Sequence, residues 1–508
     1  MDPPARFNAA SFFVDRHLAE GRGRRVAIRH AGRSVTYAEL GADVARAAHA
    51  LGGLGVEPEH RVLLVLDDSP AFAAAFWGAV KVGAVAVPVN TLMAVADYAF
   101  LLDDSRARVA VVEESVLPRL LAARAACPSL RHVVTVGDLR EGALSWGDLL
   151  ARAPTHIEPA STGPEDVMYW GYTSGSTGTP KAAVHTHAEF AAAAELVGVG
   201  VFGLSPDDLT FSASKSSFAF GLGASLYFPA RVGAASLLVA ERLDAEGLLR
   251  RIERERPTVF FAVPTLYARM LQVEKAYDLS SLRLCVSSGE ALPPAVFDAW
   301  ALRFGLELAD VMGSTEALHA FIASRPGTIR RGSVGQVVSG FEARVADDEG
   351  RPLAAEQIGH LLIKGPTTAL CYWRRRERTR RAMLGEWLST GDMVWRDPDG
   401  YFYVAGRGDD TLKIGGQWVF PGEVEACLVE HPAVLEAGVV GREDHDGLTA
   451  LCAFVVLKSG RTATADDLRT WVRGRVAGFK APRWIEIVPE LPKTATGKIQ
   501  RFRLRASP

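Results

Sequence analysis

The segment Tyr172-Thr173-Ser174-Gly175-Ser176-Thr177-Gly178-Thr179-Pro180-Lys181 follows a strand-like stretch, Val167-Met168-Tyr169-Trp170. Its small residues let backbone N–H groups come close to phosphate oxygens, its hydroxyls add donors, and Lys181 brings a positive charge. A surface turn would share the glycines and serines but not this density of hydroxyls with a Pro-Lys exit. The segment is therefore expected to hold a nucleoside triphosphate. It departs from the P-loop, whose lysine follows glycine and precedes Ser or Thr, because Lys181 follows Pro180 and precedes Ala182.

On either side of this loop, helical patterns rich in Ala, Leu and Arg alternate with short Val-rich runs. Examples are Arg61-Val62-Leu63-Leu64-Val65-Leu66, Arg108-Val109-Ala110-Val111-Val112 and Val259-Phe260-Phe261-Ala262-Val263. That alternation predicts doubly wound α/β architecture with parallel strands. The longest apolar stretch, Ala71 to Val89, carries Lys81 and two glycines and reads as a buried helix followed by a strand, not a membrane span. From Val334 to Tyr403 the texture changes to short segments broken by turn signals such as Asp347-Asp348-Glu349-Gly350 and Asp397-Pro398-Asp399-Gly400, which predict antiparallel strands. After Arg407-Gly408-Asp409-Asp410 the chain resumes with its own helix and strand patterns, including Gly422 to Glu430 and Leu451 to Leu457, and a small mobile domain is expected there. The run of arginines from Arg374 to Arg381 reads as a solvated helix face.

A chain of 508 residues with 48% hydrophobic content can bury a large core. A formal net charge of -2 gives no reason to expect nucleic acid or an anionic membrane as a partner, so small molecules are expected. Five cysteines, Cys127, Cys285, Cys371, Cys427 and Cys452, lie far apart without a Cys-x-x-Cys pair. With no apolar secretory run between Met1 and Leu18, a reducing, cytoplasmic compartment is expected.

Further segments, in order, extend the pattern: Ser288-Gly289-Glu290-Ala291, Gly313-Ser314-Thr315-Glu316, Ser389-Thr390-Gly391-Asp392, Gly406-Arg407-Gly408-Asp409 and Leu491-Pro492-Lys493-Thr494-Ala495-Thr496-Gly497-Lys498. With the phosphate loop they resemble the adenylate-forming superfamily of acyl-CoA synthetases, carrier-protein adenylation domains and luciferases. The resemblance implies a large N-terminal domain, residues 1–408, of doubly wound sheets with a small β-barrel subdomain. A small mobile α+β domain, residues 409–508, would follow.

It also implies roles. Thr173, Ser174, Gly175, Ser176, Thr177, Gly178 and Lys181 would hold the triphosphate, Gly289 and Glu290 the adenine side, and Asp392 with Arg407 the ribose, with Asp310 a further ATP-binding residue. Thr315 would contact the α-phosphate and Glu316 would hold Mg²⁺, a hard cation suited to a carboxylate, phosphate oxygens and water. Lys498 would bridge the attacking carboxylate and the α-phosphate as pyrophosphate leaves. Lys493 is expected to be a surface lysine.

Activation through an acyl-adenylate replaces oxide by AMP as leaving group and so divides thioester formation into two displacements. In the family the C-terminal domain turns between them, with Asp409 at the hinge position. Lys413, Gly415 and Gly416 would then line a pantetheine tunnel, and Phe479, Lys480 and Arg483 would contact coenzyme A, with Ala481 standing where a basic residue can occur.

The segments Ser217 to Gly223 and Gly313 to Ala320 resemble the benzoate-CoA ligase group, in which the acyl pocket corresponds to Ala219, Phe220, Gly313, His319 and Ala320. An aromatic wall over small residues suits a flat ring. Members of that group carry Tyr at the position of Phe220 and a larger aliphatic residue at that of Ala320. The smaller Ala320 leaves room for a ring substituent such as amino or hydroxyl, which His319 could orient. The expected substrates are ATP with Mg²⁺, a small aromatic acid and coenzyme A. A carrier protein as thiol, or a catalytically inactive nucleotide sensor, are the alternatives; retention of Lys181, Glu316 and Lys498 argues against the sensor.

Overall fold

The computed structural model describes residues 4–138, 140–174, 180–410, 412–414, 417–443, 449–493 and 499–505. Two large sheets dominate it. In the eight-stranded sheet, Arg61–Val65 pairs in parallel with Val85–Pro88 and Val109–Glu113, and the hairpin Val167–Ser174 with Pro180–Thr186 is added beside Val85–Pro88. The nine-stranded sheet runs in parallel from Val26–His30 through Ala235–Leu238, Leu209–Ser212, Val259–Ala262 and Leu284–Ser288 to Leu308–Gly313. It then continues antiparallel through Ala320–Ala323 and Gln336–Val337. The Val-rich runs are buried on both faces, which is why they read as continuous apolar segments rather than alternating ones.

One cluster of buried side chains joins both sheets through the helices Tyr37–Gly53 and Pro70–Lys81. The first begins in a reciprocal cap, in which the Thr36 hydroxyl accepts from the Glu39 amide and the Glu39 carboxylate accepts from the Thr36 amide. The second starts at the Ser69 hydroxyl cap with Pro70 in its first turn. Every side chain from Phe72 to Lys81 is buried, and the Lys81 ammonium is kept there by Asp15 at 2.8 Å. The helix and strand expected between Ala71 and Val89 are thus Pro70–Lys81 and Val85–Pro88.

The antiparallel segment expected as a small barrel is a five-stranded sheet. Its long strand Trp387–Arg396 has Gly359–Lys364 on one side and Met383–Leu384 and Phe402–Arg407 on the other, with Glu342–Ala346 beyond Gly359–Lys364. Among the described residues no ladder joins Glu342–Ala346 to Phe402–Arg407, so the sheet stays open. The arginine run forms the helix Arg376–Ala382 with no buried residue, as expected of a solvated face, although Arg375 just before it reaches the buried Asp104 at 3.1 Å.

The last hundred residues build their own core. Helices Pro421–Val429 and Ala465–Arg473 pack Val424, Leu428, Leu468 and Val472 against a sheet of Val434–Glu443, Thr449–Leu457 and Trp484–Ile487. Glu436 of this unit, buried, accepts from Arg269 of the preceding part at 3.1 Å and from Lys493 at 2.5 Å. Lys493 is therefore not the surface lysine expected from sequence; a buried carboxylate needs charged partners, and Lys493 is one of them. All five cysteines are free thiols, and no described helix is long and apolar enough to cross a membrane.

Gly335, at φ +97°, joins the nine-stranded sheet to the antiparallel one through its bridge to Phe402. A Cβ there would lie 2.1 Å from the Ala323 carbonyl, whereas one at Gly350, φ +80°, would meet nothing within 4 Å. Gly350→Ala is expected to cost about 1 kcal/mol, the conformational penalty alone. Gly335→Ala is expected to cost at least about 3 kcal/mol, because backbone must move as well. Urea unfolding of both variants measures the difference, and equal losses would mean that the Ala323 strand yields easily.

Candidate active site

Strand Leu308–Gly313 ends where it turns back into Ala320–Ala323, and Gly313 faces Ala320 across the ladder. A side chain at Gly313 would place its Cβ 2.4 Å from the His319 carbonyl, so only glycine allows the approach. Between them lies the short turn Thr315–Ala317, and the His319 amide then donates to the Ala317 carbonyl at 2.7 Å across Leu318. Leu318 sits at φ +63°, ψ -40°, a strained three-residue turn for a branched residue. It persists because Leu318 is fully buried and the carbonyls around it are held from outside. The Ala369 amide donates to the Glu316 carbonyl at 2.8 Å and the Thr367 hydroxyl to that of Ala317 at 2.7 Å.

The Glu316 carboxylate faces the phosphate-loop hairpin. Lys181, opposite Thr173 in the ladder, places its ammonium 3.1 Å from Glu316 and donates to the Tyr372 hydroxyl at 2.6 Å, and that hydroxyl donates to Glu316 at 2.7 Å. Burial alone would push the Glu316 carboxyl up, but the Lys181 ammonium and the Tyr372 hydroxyl outweigh it and hold the group below the usual carboxylate range. Sequence reading missed Tyr372, which lies on a two-residue edge strand, Cys371–Tyr372, brought here by pairing with Val184 and Ala183. It also missed Gly171, where a Cβ would fall 2.4 Å from the Thr315 methyl. Ser174 pairs with Pro180, so the two ends of the loop segment are adjacent.

On the nucleotide side, Ser288 at the end of its strand donates to the Val311 carbonyl at 2.9 Å, and Gly289 follows at φ +96° with Glu290 after it. The neighbouring Asp310 is buried and its Oδ1 has no hydrogen-bond partner among the described residues. Burial pushes its carboxyl up to about 7, partly offset by the Ser287 hydroxyl and the Leu292 and Val311 amides that face it. Asp392 and Arg407 are cross-strand partners, with the guanidinium 2.8 Å from the carboxylate.

The proposed acyl residues converge. The His319 ring lies 5.4 Å from Phe220, 4.6 Å from Phe228 and 6.2 Å from Phe202, centroid to centroid. Ala219 and Ala320 are buried beside it in the same region, and a Cβ at Gly223 would fall 2.7 Å from the His319 ring. His319 is 4% exposed, and among the described residues neither ring nitrogen has a hydrogen-bond partner. The backbone of Phe220 faces the ring without making a bond of normal geometry. Burial drives the imidazole pKa down to about 3, so the ring is neutral at any physiological pH. The Tyr227 hydroxyl, also buried and without a hydrogen-bond partner among the described residues, would lie 3.0 Å from a Cβ at Gly223. Two orphan polar groups on an aromatic wall are unusual unless something else satisfies them.

Gly175, Ser176, Thr177, Gly178, Gly415, Gly416 and Lys498 lie outside the described residues, as do the side chains of Ser174, Asp409 and Lys413. Phe479, Lys480 and Arg483 sit together on the C-terminal unit. Phe479 is exposed, Lys480 donates to both oxygens of Glu423, and Arg483 lies over Trp484. The Lys480 ammonium is thus already paired, where sequence had it available for phosphate. A separate cleft of about 230 Å³ at the strand ends is lined by Asp67, Asp68, Asn90, Arg119, Lys215 and Ser217, among others.

Two family models match the chain, that of the AMP-binding enzyme over residues 15–373 and that of the AMP-binding enzyme C-terminal domain over residues 423–498. A benzoate–CoA ligase of Thauera aromatica is 43% identical across 99% of this chain and 97% of its own length. A 4-hydroxybenzoate–CoA/benzoate–CoA ligase of Rhodopseudomonas palustris is 42% identical across 99% and 94%. The solved structure of an anthranilate CoA ligase in complex with anthranoyl-AMP superposes with a TM-score of 0.96 at 42% identity, over 99% of this chain and 98% of that one.

Asp310 supplies a test of the site's electrostatics. The unfolded chain ionises it near its ordinary value of about 4. The folded chain keeps the proton to about pH 7, so the wild type loses stability as pH rises between the two. Asp310→Asn carries no such proton. Its stability relative to wild type is expected to grow between pH 4 and 8 by at most about 4 kcal/mol. Urea unfolding at both pH values measures this, and a difference that does not change with pH would rule out the buried, protonated carboxyl.

Proposed function

The chain belongs to the AMP-binding enzyme family, and we propose that it is an aromatic acid–CoA ligase that consumes ATP and releases AMP. The observation that carries the aromatic acid is the buried His319, neutral and without hydrogen-bond partners, in a box of phenylalanines one turn from Glu316. A flat ring fills such a box, and a ring substituent can satisfy one of the orphan groups. The acids that fit are benzoate and its monosubstituted relatives such as 2-aminobenzoate or a hydroxybenzoate. Full-length relatives named for benzoate, 4-hydroxybenzoate and anthranilate support that range.

In the proposed reaction the acid lies against the wall that Phe220 and His319 form together, with its carboxylate toward Thr315. That carboxylate attacks the α-phosphorus of ATP and pyrophosphate leaves, giving an aroyl-adenylate. The Thr315 hydroxyl and Lys181 hold phosphate oxygens, Asp310 accepts from the adenine amine, and Asp392 with Arg407 takes the ribose hydroxyls. Among the described residues no group of three or more His, Cys, Asp or Glu could hold a metal. The ionised Glu316 therefore suits a Mg²⁺ bound mainly through phosphate oxygens and water. When bound, that ion neutralises charge on the triphosphate.

Lys498 is assigned the charge-stabilising role at the reacting carboxylate. In the second step the thiol of coenzyme A attacks the acyl carbon and AMP departs. We place the boundary of the moving C-terminal domain at Gly408 and Asp409, and the coenzyme on Lys413, Gly415, Gly416, Phe479, Lys480 and Arg483. For Lys480 this means exchanging Glu423 for a phosphate. The free thiols suit a reducing compartment, and we place the enzyme in the cytoplasm.

The test is a panel of benzoate and its ortho, meta and para amino and hydroxy derivatives, with ATP, Mg²⁺ and either coenzyme A or a phosphopantetheinylated carrier protein. Aroyl-CoA and AMP are expected in equal amounts, with no acylated carrier. Absence of aroyl-CoA from every acid would sink the reading. Within the panel, Ala320→Ile is expected to cut kcat/KM for the preferred substituted acid about tenfold or more, the value of one or two methylenes in a pocket, while sparing benzoate.

A further inference from the structure

One buried ionisable pair takes no part in the reaction described above. His185, on strand Pro180–Thr186, and Glu189, in the first turn of helix His187–Ala193, have side chains 0% and 7% exposed. The His185 Nδ1 meets the Glu189 carboxylate, whose other oxygen accepts from the Thr186 hydroxyl at 3.2 Å. The opposite nitrogen, Nε2, lies 2.8 Å from the carbonyl of Thr315.

A carbonyl can only accept, so Nε2 carries a hydrogen, and Nδ1 faces the Glu189 carboxylate. Glu189 thereby fixes both the tautomer and the orientation of the ring, as an outer carboxylate does for a working histidine elsewhere. Burying such a pair is not a cheap way to stabilise a core, since apolar side chains of similar volume do as well or better. What the pair provides is direction: one N–H aimed from the eight-stranded sheet at the backbone of a turn in the nine-stranded sheet. The target is the residue whose hydroxyl and whose neighbour's carboxylate face the reacting phosphate. Gly171, with no Cβ to strike the Thr315 methyl, lets the same sheet come close to this residue.

We propose that His185, oriented by Glu189, is a positioning residue for adenylate formation that holds the Thr315 carbonyl and with it the Thr315 hydroxyl and the Glu316 carboxylate. This rests on the ligase reading above, and it assigns the pair to the first half-reaction alone. In the second, AMP is a leaving group already bound, and no phosphorus–oxygen bond is made or broken.

Two variants separate direction from burial. Asn at 185 keeps an amide beside Glu189 but is too short to reach Thr315, whereas Gln places its amide nitrogen close to the position of Nε2. His185→Asn is expected to slow adenylate formation, read as pyrophosphate release, by roughly a hundredfold, the cost of a misplacement of about 1 Å at the reacting groups. Its rate of aroyl-CoA formation from supplied aroyl-AMP and coenzyme A is expected to stay within about threefold of wild type, since that step does not use the held turn. His185→Gln is expected to recover most of the lost rate. Equal rates in the two variants, or a parallel fall of both half-reactions in His185→Asn, would overturn the proposal. So would a His185→Asn chain that fails to fold beside a folded His185→Gln, because the bond would then serve stability. If the wild type itself forms no adenylate, the ligase reading fails instead.

Discussion

The carbonyls of Thr315, Glu316 and Ala317 accept hydrogen bonds from the His185 ring, the Ala369 amide and the Thr367 hydroxyl, three donors from outside the hairpin that contains the turn. Both candidate pockets depend on that arrangement. On one side of the turn the Glu316 carboxylate meets Lys181, and on the other the strained Leu318 throws His319 into the aromatic box. A strained residue survives only where its surroundings leave it no alternative. Here the eight-stranded sheet and the segment after Gly365 close on the nine-stranded sheet and supply that constraint.

The same closure sets the electrostatics. Lys181, Tyr372 and Glu316 satisfy one another in a partly buried triangle. A triphosphate that draws Lys181 away would leave Glu316 buried and uncompensated, which is costly. A cation arriving with the phosphates would remove that cost. In the proposed reaction, nucleotide and metal would thus be coupled through one carboxylate, with the Tyr372 hydroxyl able to stay on Glu316 through the exchange. His319 follows the opposite logic. Burial keeps it neutral, and in the proposed reaction its hydrogen-bonding capacity, unmet among the described residues, would serve the ligand.

Local sequence carried most of the architecture because many of the described motif residues stand on or beside a strand end. Val-rich runs became the parallel strands, Asp310, Gly313 and Glu316 follow one another along a single hairpin, and Asp392 and Arg407 are direct cross-strand partners. What sequence did not reveal depends on how separate sheets meet. Tyr372 reaches the site only through its edge pairing with Pro180–Thr186, and His185 touches Thr315 only because the two sheets close on each other. No spacing in the chain encodes either contact. The environment of Lys493 was misjudged for the same reason, since Glu436 lies 57 residues away and makes the lysine part of a buried cluster. For His319 the motif gave the position, but its lack of partners is a property of packing alone.

That cluster also bears on how a two-step reaction could use one site. Glu436 binds Arg269 from the large part of the chain with one oxygen and Lys493 from its own unit with the other. If the C-terminal unit turns, the Arg269 bond breaks, yet Lys493 remains and the carboxylate is not left without a counter-charge. Arg269 itself is about half exposed, so water replaces Glu436 at little cost. Meanwhile Arg501 and Arg505 hold Asp410, next to the hinge position, and Arg501 also grips Glu425, tying the turn at Gly408–Asp410 to the end of the chain. Contacts within the unit are paired and partly buried, whereas Arg269, on the far side of the Glu436 pair, is about half exposed. If the unit turns as proposed, that asymmetry would let its own fold stay intact.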